Sequence, residues 1–522
     1  MTRARGLSIA RALRVPAALA LVTLLTLGSL TGSAVGEEGQ APKAPAGVVT
    51  PVRLRVMTFN IEYGGTVVDI DKVLAAVRRA DADVVAFNEV YGKAARLGRL
   101  TGYDHVSRRL DVVSRFPLVD PPGSRGRYVF VELAPGQVAA LSNVHLASSD
   151  YGPRRILDGW SRRKVLRTER RTRLHDIRPF VRSLAPLAAD GDPAIVLGDM
   201  NAPSHEDWSA ATVGQRPQIR FPVRWPVSRF LAREGFVDSY RAAFPDPVTA
   251  EGLTWPAARP RSDDSWNPRR DAPHDRIDQI WSAGPASVVD SEVVGERGGP
   301  GVDIFVHPWG SDHRAVVSTF DVAPGAPPLM VAPSPMLAEV GDALSVTYHA
   351  PGGAGERVRI VAAGGDPVTD AIDSLPTPAG APTDGSVSFP TAALDPGPYE
   401  VVLIDGADAE LARGPFWVRD VGADPVLDTD RRRFDVGQSI EVSWTFGRAN
   451  RYDWIGLYRR DADPAVASYL SYRYTKASVE GSVTFGGRGA GRWPLPPGRY
   501  SAYYLLTDVY RRIASVDFVV TD

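Results

Sequence analysis

Polar residues able to move protons or hold charge recur where apolar runs stop. Asn60 and Glu62 follow RLRVMTF, and Asn88 and Glu89 follow DVVAF. Asn143 and His145 close SNVHL, and Asp199 and Asn201 close IVLGDMN. Asp275, Arg276 and Asp278 enter the run ending at Trp281, and Ser311-Asp312-His313 precedes RAVVSTF. Carboxylates and amides beside Val-Ile-Leu runs are costly to bury without partners. Strand ends and the loops beyond them are also the usual site positions of α/β proteins. Each residue alone has a plainer reading: Glu89 as a surface carboxylate, Asp278 as the ion-pair partner of Arg276, Asn201 as a turn or cap residue.

The elements that must position these groups can be read from hydrophobic periodicity. RLRVMTFNI and DVVAFNEV predict strands, and VVDIDKVLAAVRRA between them places Ile70, Val73, Leu74 and Val77 at helical spacing. RYVFVELA and VAALSNVHLA predict antiparallel neighbours across Pro135-Gly136. A long basic helix is expected over 161–183. PAIVLGDMN, HDRIDQIWSA, SVVDSEVVG and HRAVVSTFDVA predict further strands. The pattern is that of an α/β domain over residues 51–323, long enough for a large core.

In their order, MTFNIEYGG, FNEV, NVHL, GDMNA, DRIDQIW and SDHRAV resemble the endonuclease/exonuclease/phosphatase superfamily, the deoxyribonuclease-like metal-dependent phosphoesterases. The resemblance spans about residues 53–322. It implies a four-layer α/β sandwich of two packed mixed sheets flanked by helices, with the site at one rim. It implies Glu89 as the central metal ligand, with Asn60, Glu62 and Asp312 around the same ion, an all-oxygen shell suited to Mg²⁺ or Mn²⁺. Asp199 would orient or deprotonate the attacking water, and Asn201 would hold water or phosphate. His313 would bind the phosphate, kept protonated by Asp278, because a carboxylate stabilises imidazolium and imidazolium stabilises charge building on phosphoryl oxygens. His145 would stand across the phosphate as a second cationic or acid group. Three departures are visible: Asn88 where the family often has Gln, Glu62 where some members have Asp, and His145 where other members carry Asn. The last places the chain nearer the deoxyribonuclease and phospholipase branches than the abasic-site repair branch.

The leading expectation is a secreted, divalent-metal-dependent phosphodiesterase with nucleic acid as substrate. A phospholipase C- or sphingomyelinase-like enzyme, or an inositol phosphate phosphomonoesterase, keeps the chemistry and changes the substrate. A catalytically dead surface-binding protein is the reading from another class, and the intact set from Asn60 to His313 speaks against it. Residues 153–183 hold 11 Arg or Lys against Asp158, Glu169 and Asp176. They read first as a solvated helix face and second as a polyanion-binding flank. Trp255 and Trp309 are candidates either for the pocket wall or for the core.

The 522 residues carry a net charge of -1 and no cysteine, and only 5 of 60 basic residues are Lys. That excludes disulfides, thiolate metal sites and a cysteine nucleophile, and argues against a uniformly basic nucleic-acid coat. Residues 51–322 are net +3 and residues 323–522 net -7, so the tail is poorly suited to grip a polyanion. Arg3 to Arg14 followed by a short apolar run and Gly32-Ser33-Ala34 reads as a secretory signal over 1–36, cut near Ala34 or Gly36. A Pro- and Ala-rich linker follows over 37–50, and no transmembrane segment is expected in the mature chain. After Asp321 a Pro-rich stretch leads into repeated sequence. Val340-Gly341 matches Val436-Gly437, and DGSVSF from Asp384 matches EGSVTF from Glu480, both at an offset of 96 residues. This predicts two tandem β-sandwiches, 324–421 and 422–522, with a cell-surface or polymer ligand as their expected partner. Within the second, the segment Asp453–Tyr458 reads as a core tryptophan strand before it reads as a binding edge.

Overall fold

The computed structural model describes residues 50–258, 273–378, 384–487, 491–507 and 509–522. The expected secretory signal, and the linker up to residue 49, lie outside the described residues. The front domain is built on β1 (Val52–Asn60), β2 (Val84–Asn88), β3 (His105–Ser107), β4 (Val112–Ser114), β5 (Leu118–Val119), β6 (Val129–Ala134), β7 (Gln137–His145), β8 (Ala194–Asp199), β9 (Val237–Asp238), β10 (Asp278–Ala283), β11 (Ala286–Glu296), β12 (Ile304–Val306) and β13 (Ala315–Val322). Among the described residues these strands form two sheets, of order β12-β11-β13-β1-β2-β4-β3 and β5-β6-β7-β8-β10-β9.

The strands lack polar alternation because both faces of each sheet are covered. Successive side chains point to opposite faces. Leu54, Val56, Val84, Ala86, Ile195, Leu197 and Ile280 meet in one core between the sheets. Met57, Phe59, Val85 and Phe87 turn the other way, onto Val73, Leu74 and Val77 of the helix Ile70–Ala80. Ala194, Val196 and Trp281 turn outward onto Ile177, Val181 and Leu184 of the helix Arg173–Ala189. The result is the expected four-layer α/β sandwich, helix–sheet–sheet–helix. Each buried Val, Leu or Phe side chain contributes about 1.5–3 kcal/mol by leaving water.

The helix Ile70–Ala80 starts where Asp69 accepts a hydrogen bond from the Asp71 N–H, and stops at left-handed Asp81, φ 47°. The single helix expected over 161–183 is two, Arg162–Arg171 and Arg173–Ala189, broken at Thr172 (φ -107°, ψ -99°). Arg173 is fully buried at the break and ion-pairs with Glu169 at 2.9 Å. A helix register read from charge alone could not foresee a buried arginine.

Beyond Val322 the described residues form only strands and turns, in two copies of a three-stranded sheet packed on a five-stranded one. The repeated positions become equivalent core positions. Leu344, Val346 and Phe389 lie in the first sandwich core, and Ile440, Val442 and Phe485 in the second. Tyr399 and Tyr500 each donate their hydroxyl to a backbone carbonyl four residues earlier, Asp395 and Pro496. Trp454 is buried, but on the outer face of its sheet among Tyr458, Tyr503 and Leu505; Trp444 fills the core between the sheets. The sandwiches contact the front domain. Val138 pairs with Gly325 through two backbone hydrogen bonds, and Arg109 donates to the Ala477 carbonyl at 3.2 Å.

Below β10, Arg276 is buried and bonds both carboxylates of Asp207 and Asp238 at 2.6–3.1 Å, while Arg241 adds a second guanidinium to Asp207. Arg276 is therefore not the partner of Asp278. Removing one member of such a buried set leaves uncompensated charge. Arg276→Met is expected to lose about 3–5 kcal/mol of folding stability in urea denaturation; a loss under about 0.5 kcal/mol would contradict the network's role in fixing the start of β10.

Candidate active site

Strand register gathers the polar residues at one rim. β1 and β2 run parallel with Asn60 opposite Asn88, so Glu62 and Glu89 leave the same edge of the seven-stranded sheet. In the six-stranded sheet His145 lies opposite Asp199 across β7 and β8, and Asp278 lies opposite Asp199 across β8 and β10. β13 runs antiparallel to β1, which brings the Asp312-His313 segment back to the end of β1. Ser311 fastens it there: its hydroxyl donates to the Asn60 carbonyl at 2.7 Å and accepts from the His313 N–H at 3.1 Å.

The rim has an acidic end. Glu62 accepts from the Asp312 N–H at 3.1 Å, and Glu89 accepts from the Tyr63 N–H at 3.0 Å. Asp312 accepts from the Trp255 indole at 3.3 Å. Glu89 makes no ion pair among the described residues. Asp312 also lies 4.0 Å from His313 Nε2. Carboxylates on one rim are the oxygen ligands that a hard divalent cation takes. Asn60, expected as a ligand, is held by hydrogen bonds on both ends of its amide. Its oxygen accepts the Glu62 N–H at 3.1 Å, which fixes the amide so that its nitrogen points to Asp199 at 3.1 Å and Glu89 at 3.4 Å. It braces the two carboxylates by donating to them. Glu62, Tyr63, Glu89 and Asn201 all hold left-handed backbone, φ 46–57°. Non-glycine residues pay for that conformation, and such strain clusters at functional sites.

The other end is a proton-handling cluster. Ligand atoms of Asp199, Asp278 and His313 lie within 4.8 Å of one another. The His313 Nδ1 to Asp278 Oδ2 distance of 2.9 Å is that of a shared proton, too short to seat a cation between the two atoms. His313 Nε2 lies 3.8 Å and His145 Nε2 3.6 Å from Asp199 Oδ2. Burial alone would lower the His313 pKa, but the charges of Asp278, Asp199 and Asp312 carry it well above the ordinary histidine value. Burial pushes the Asp199 carboxyl up to about 7, against the opposing pull of His313. Asn201 holds Asp199 in place, donating from its backbone at 2.8 Å and its side chain at 3.2 Å. Burial pushes His145 down to about 4, so the expected second cation is a neutral imidazole at pH 7.

All nine expected residues thus share one rim. Sequence reading undervalued those that support them. Asn88, a strand-end amide with no role assigned from the sequence, accepts from the Asp199 N–H at 2.8 Å and donates to Asn143 and to the Val144 carbonyl at 3.0–3.1 Å, crossing between sheets. Asn143 donates to the Phe87 and Leu110 carbonyls. Thr254 accepts from the Ile277 and Asp278 N–H groups. The two tryptophans divide: Trp309 is buried against Phe59, whereas Trp255 walls the site 6.3 Å from His313, with Tyr151 at its edge. Arg162, Arg163, Arg167, Arg170 and Arg171 are exposed, which fits the solvated helix face.

Residues 57–313 match the Endonuclease/Exonuclease/phosphatase family. An uncharacterized protein of Caenorhabditis elegans is 27% identical over 256 residues, 44% of this chain and 79% of that protein. Among solved structures, an endonuclease/exonuclease/phosphatase from Beutenbergia cavernae DSM 12333 is 20% identical, with 70% of this chain and 99% of that chain covered and a TM-score of 0.33. D. rerio TDP2 complexed with a single-strand DNA product is 14% identical, with 52% and 99% covered and a TM-score of 0.29. A Bacteroides thetaiotaomicron mannosyl-6-phosphatase is 14% identical, with 51% and 99% covered and a TM-score of 0.27. The domain carried by residues 57–313 belongs to the Endonuclease/Exonuclease/phosphatase family.

Proposed function

We propose that the front domain is a divalent-cation-dependent phosphodiesterase of secreted origin, with nucleic acid as its substrate class. The observation that carries the reading is the hydrogen-bonded Asp278–His313 pair beside a buried Asp199, linked to Glu89 through the Asn60 amide. Glu89, Glu62 and Asp312 would hold the cation, with Asn60 orienting Glu89. Bound there, Mg²⁺ or Mn²⁺ would supply Lewis-acid polarisation of the phosphoryl group.

The chain's own residues do the rest. Asp199, ionised above its raised pKa, accepts the proton of the attacking water as the new P–O bond forms. Asn201 keeps that carboxylate aimed. His313, protonated through Asp278, stabilises the charge that builds on the phosphoryl oxygens as the bond to the leaving oxygen breaks. His145 stands on the opposite side of Asp199 as a neutral hydrogen-bonding group. Trp255 limits water on the His313 side.

Activity is expected to vanish with a chelator and return with Mg²⁺ or Mn²⁺. Glu89→Gln should shift the metal titration to higher concentration, since it removes a formal charge at the ion. Full activity in excess chelator, or superimposable titrations for the two proteins, would overturn the assignment.

The pH profile is expected to be bell-shaped. On the acid side, activity falls below about pH 7 as Asp199 protonates. On the basic side it is lost only when His313 deprotonates, well above the ordinary histidine range. Asp278→Asn removes the largest influence raising that pKa, so the basic limb should move to lower pH and the deficit should grow with pH. His313→Ala should lower turnover by ~10²-fold, and the double mutant should be little worse because the pair acts as one unit. An Asp278→Asn profile parallel to wild type would refute the role of the carboxylate.

A further inference from the structure

The second β-sandwich reaches the catalytic rim. Its Asn450-Arg451-Tyr452 turn and Thr507 line a small cleft together with Gly92, Ala94, Arg108 and Asp111 of the front domain. Gly92 is three residues past Glu89, and a methyl group added to it would meet the Thr507 hydroxyl at 2.8 Å, so the two parts are closely packed there. The Arg451 guanidinium lies over the Phe180 ring at 5.6 Å and over Tyr452 at 5.0 Å. Its Nη1 is buried and finds no hydrogen-bond partner among the described residues. No ion pair to Arg451 is found among them either. Arg109, by contrast, has Asp120 at 3.7 Å and the Ala477 carbonyl.

A buried guanidinium donor without an acceptor is costly, because its planar fork forgoes the bonds it had in water. Aromatic faces on Phe180 and Tyr452 stabilise the cation but accept no N–H in the guanidinium plane. Among the described residues, Arg108 and Arg451 line the cleft with the carboxylate of Asp111, and the Asp453 carboxylate is taken up by the Asn450 amide and the Thr507 N–H. Burial is the main cause of the depressed His145 pKa, and the Arg451 charge adds to it, against Glu89. Arg451 is therefore within electrostatic reach of the reacting centre.

We infer that this cleft is an anion subsite completed by the second β-sandwich, in which Arg451 binds a phosphate group of the substrate next to the one being cleaved. The inference deepens the phosphodiesterase reading and rests on it. A substrate with a second phosphate would give the planar Arg451 guanidinium the bidentate oxygen acceptor that the described residues do not supply. It also assigns the acidic tail a task its net charge would not suggest: one positioned arginine at the rim.

The full chain and its Arg451→Gln and Arg451→Lys variants can be titrated with inorganic pyrophosphate by calorimetry, independently of turnover. Arg451→Gln is expected to weaken pyrophosphate binding at least ~10-fold, the scale of one lost charge-assisted hydrogen bond. Arg451→Lys, which keeps the charge, should retain most of the affinity. Unchanged affinity in Arg451→Gln would overturn the subsite. So would equal losses in both variants, since these would mean that Arg451 acts by packing on Phe180 and Tyr452. In steady-state assays Arg451→Gln should raise KM for a substrate bearing two phosphates and leave KM for a simple aryl phosphodiester unchanged; equal effects on both would also overturn it. Wild-type protein that binds pyrophosphate through Arg451 yet hydrolyses no phosphodiester would support the subsite while refuting the phosphodiesterase reading.

Discussion

The site depends on hydrogen bonds that cross between the two sheets, centred on the side chain of Asn88. Two sheets packed by apolar contact alone can slide, because dispersion and hydrophobic burial are not directional. Asn88 ends β2 in one sheet and spends its amide on the other, accepting from Asp199 and donating to Asn143 and the Val144 carbonyl. Asn143 returns the connection through the Phe87 carbonyl. These bonds are buried, so breaking one leaves a polar group unsatisfied in a dry interior. The ends of β1 and β2, which project Glu62 and Glu89, are thereby fixed against the ends of β7, β8 and β10, which carry His145, Asp199 and Asp278. Catalysis by preorganised charge needs that kind of fixed geometry.

Charge is distributed along the rim in a graded way. At one end Glu62, Glu89 and Asp312 lean on backbone N–H groups and an indole, the surroundings a hard cation would complete. At the other, Asp278 and Asp199 face His313, and the negative charge of the pair is matched by a proton. Asn60 stands between the two ends and donates to both Glu89 and Asp199. The left-handed backbone at Glu62, Glu89 and Asn201 shows where the fold has accepted strain to aim these side chains.

Much of this was legible in the sequence for a physical reason. A strand buried on both faces is a nearly unbroken apolar run, so polar residues at its end stand out, and motif order then supplied the pairing of runs into two sheets. Register gave the remainder once the pairing was known: Asn60 with Asn88, and His145 with Asp199 and Asp278. What could not be read were interactions set by hydrogen-bond direction or by long separation. The orientation of the Asn60 amide follows from a single N–H two residues on. The tie made by Asn88 requires knowing which strands lie across the sandwich. Arg173 looked like one more charge on a basic helix, yet it is buried where the helix breaks. Arg451 lies more than 300 residues beyond Glu89 in sequence, inside a repeat whose pattern speaks only of strands.

The most direct test of the account is the Mg²⁺-dependent hydrolysis of a generic aryl phosphodiester by the full chain, compared with Asp199→Asn at pH 8. Asp199→Asn keeps the shape of the side chain and removes the proton acceptor. The account predicts measurable turnover for the wild type and a loss of ~10²-fold or more in kcat for the variant, the scale of a positioned general base. No metal-dependent turnover by the folded wild type, or equal kcat for the two proteins, would contradict it.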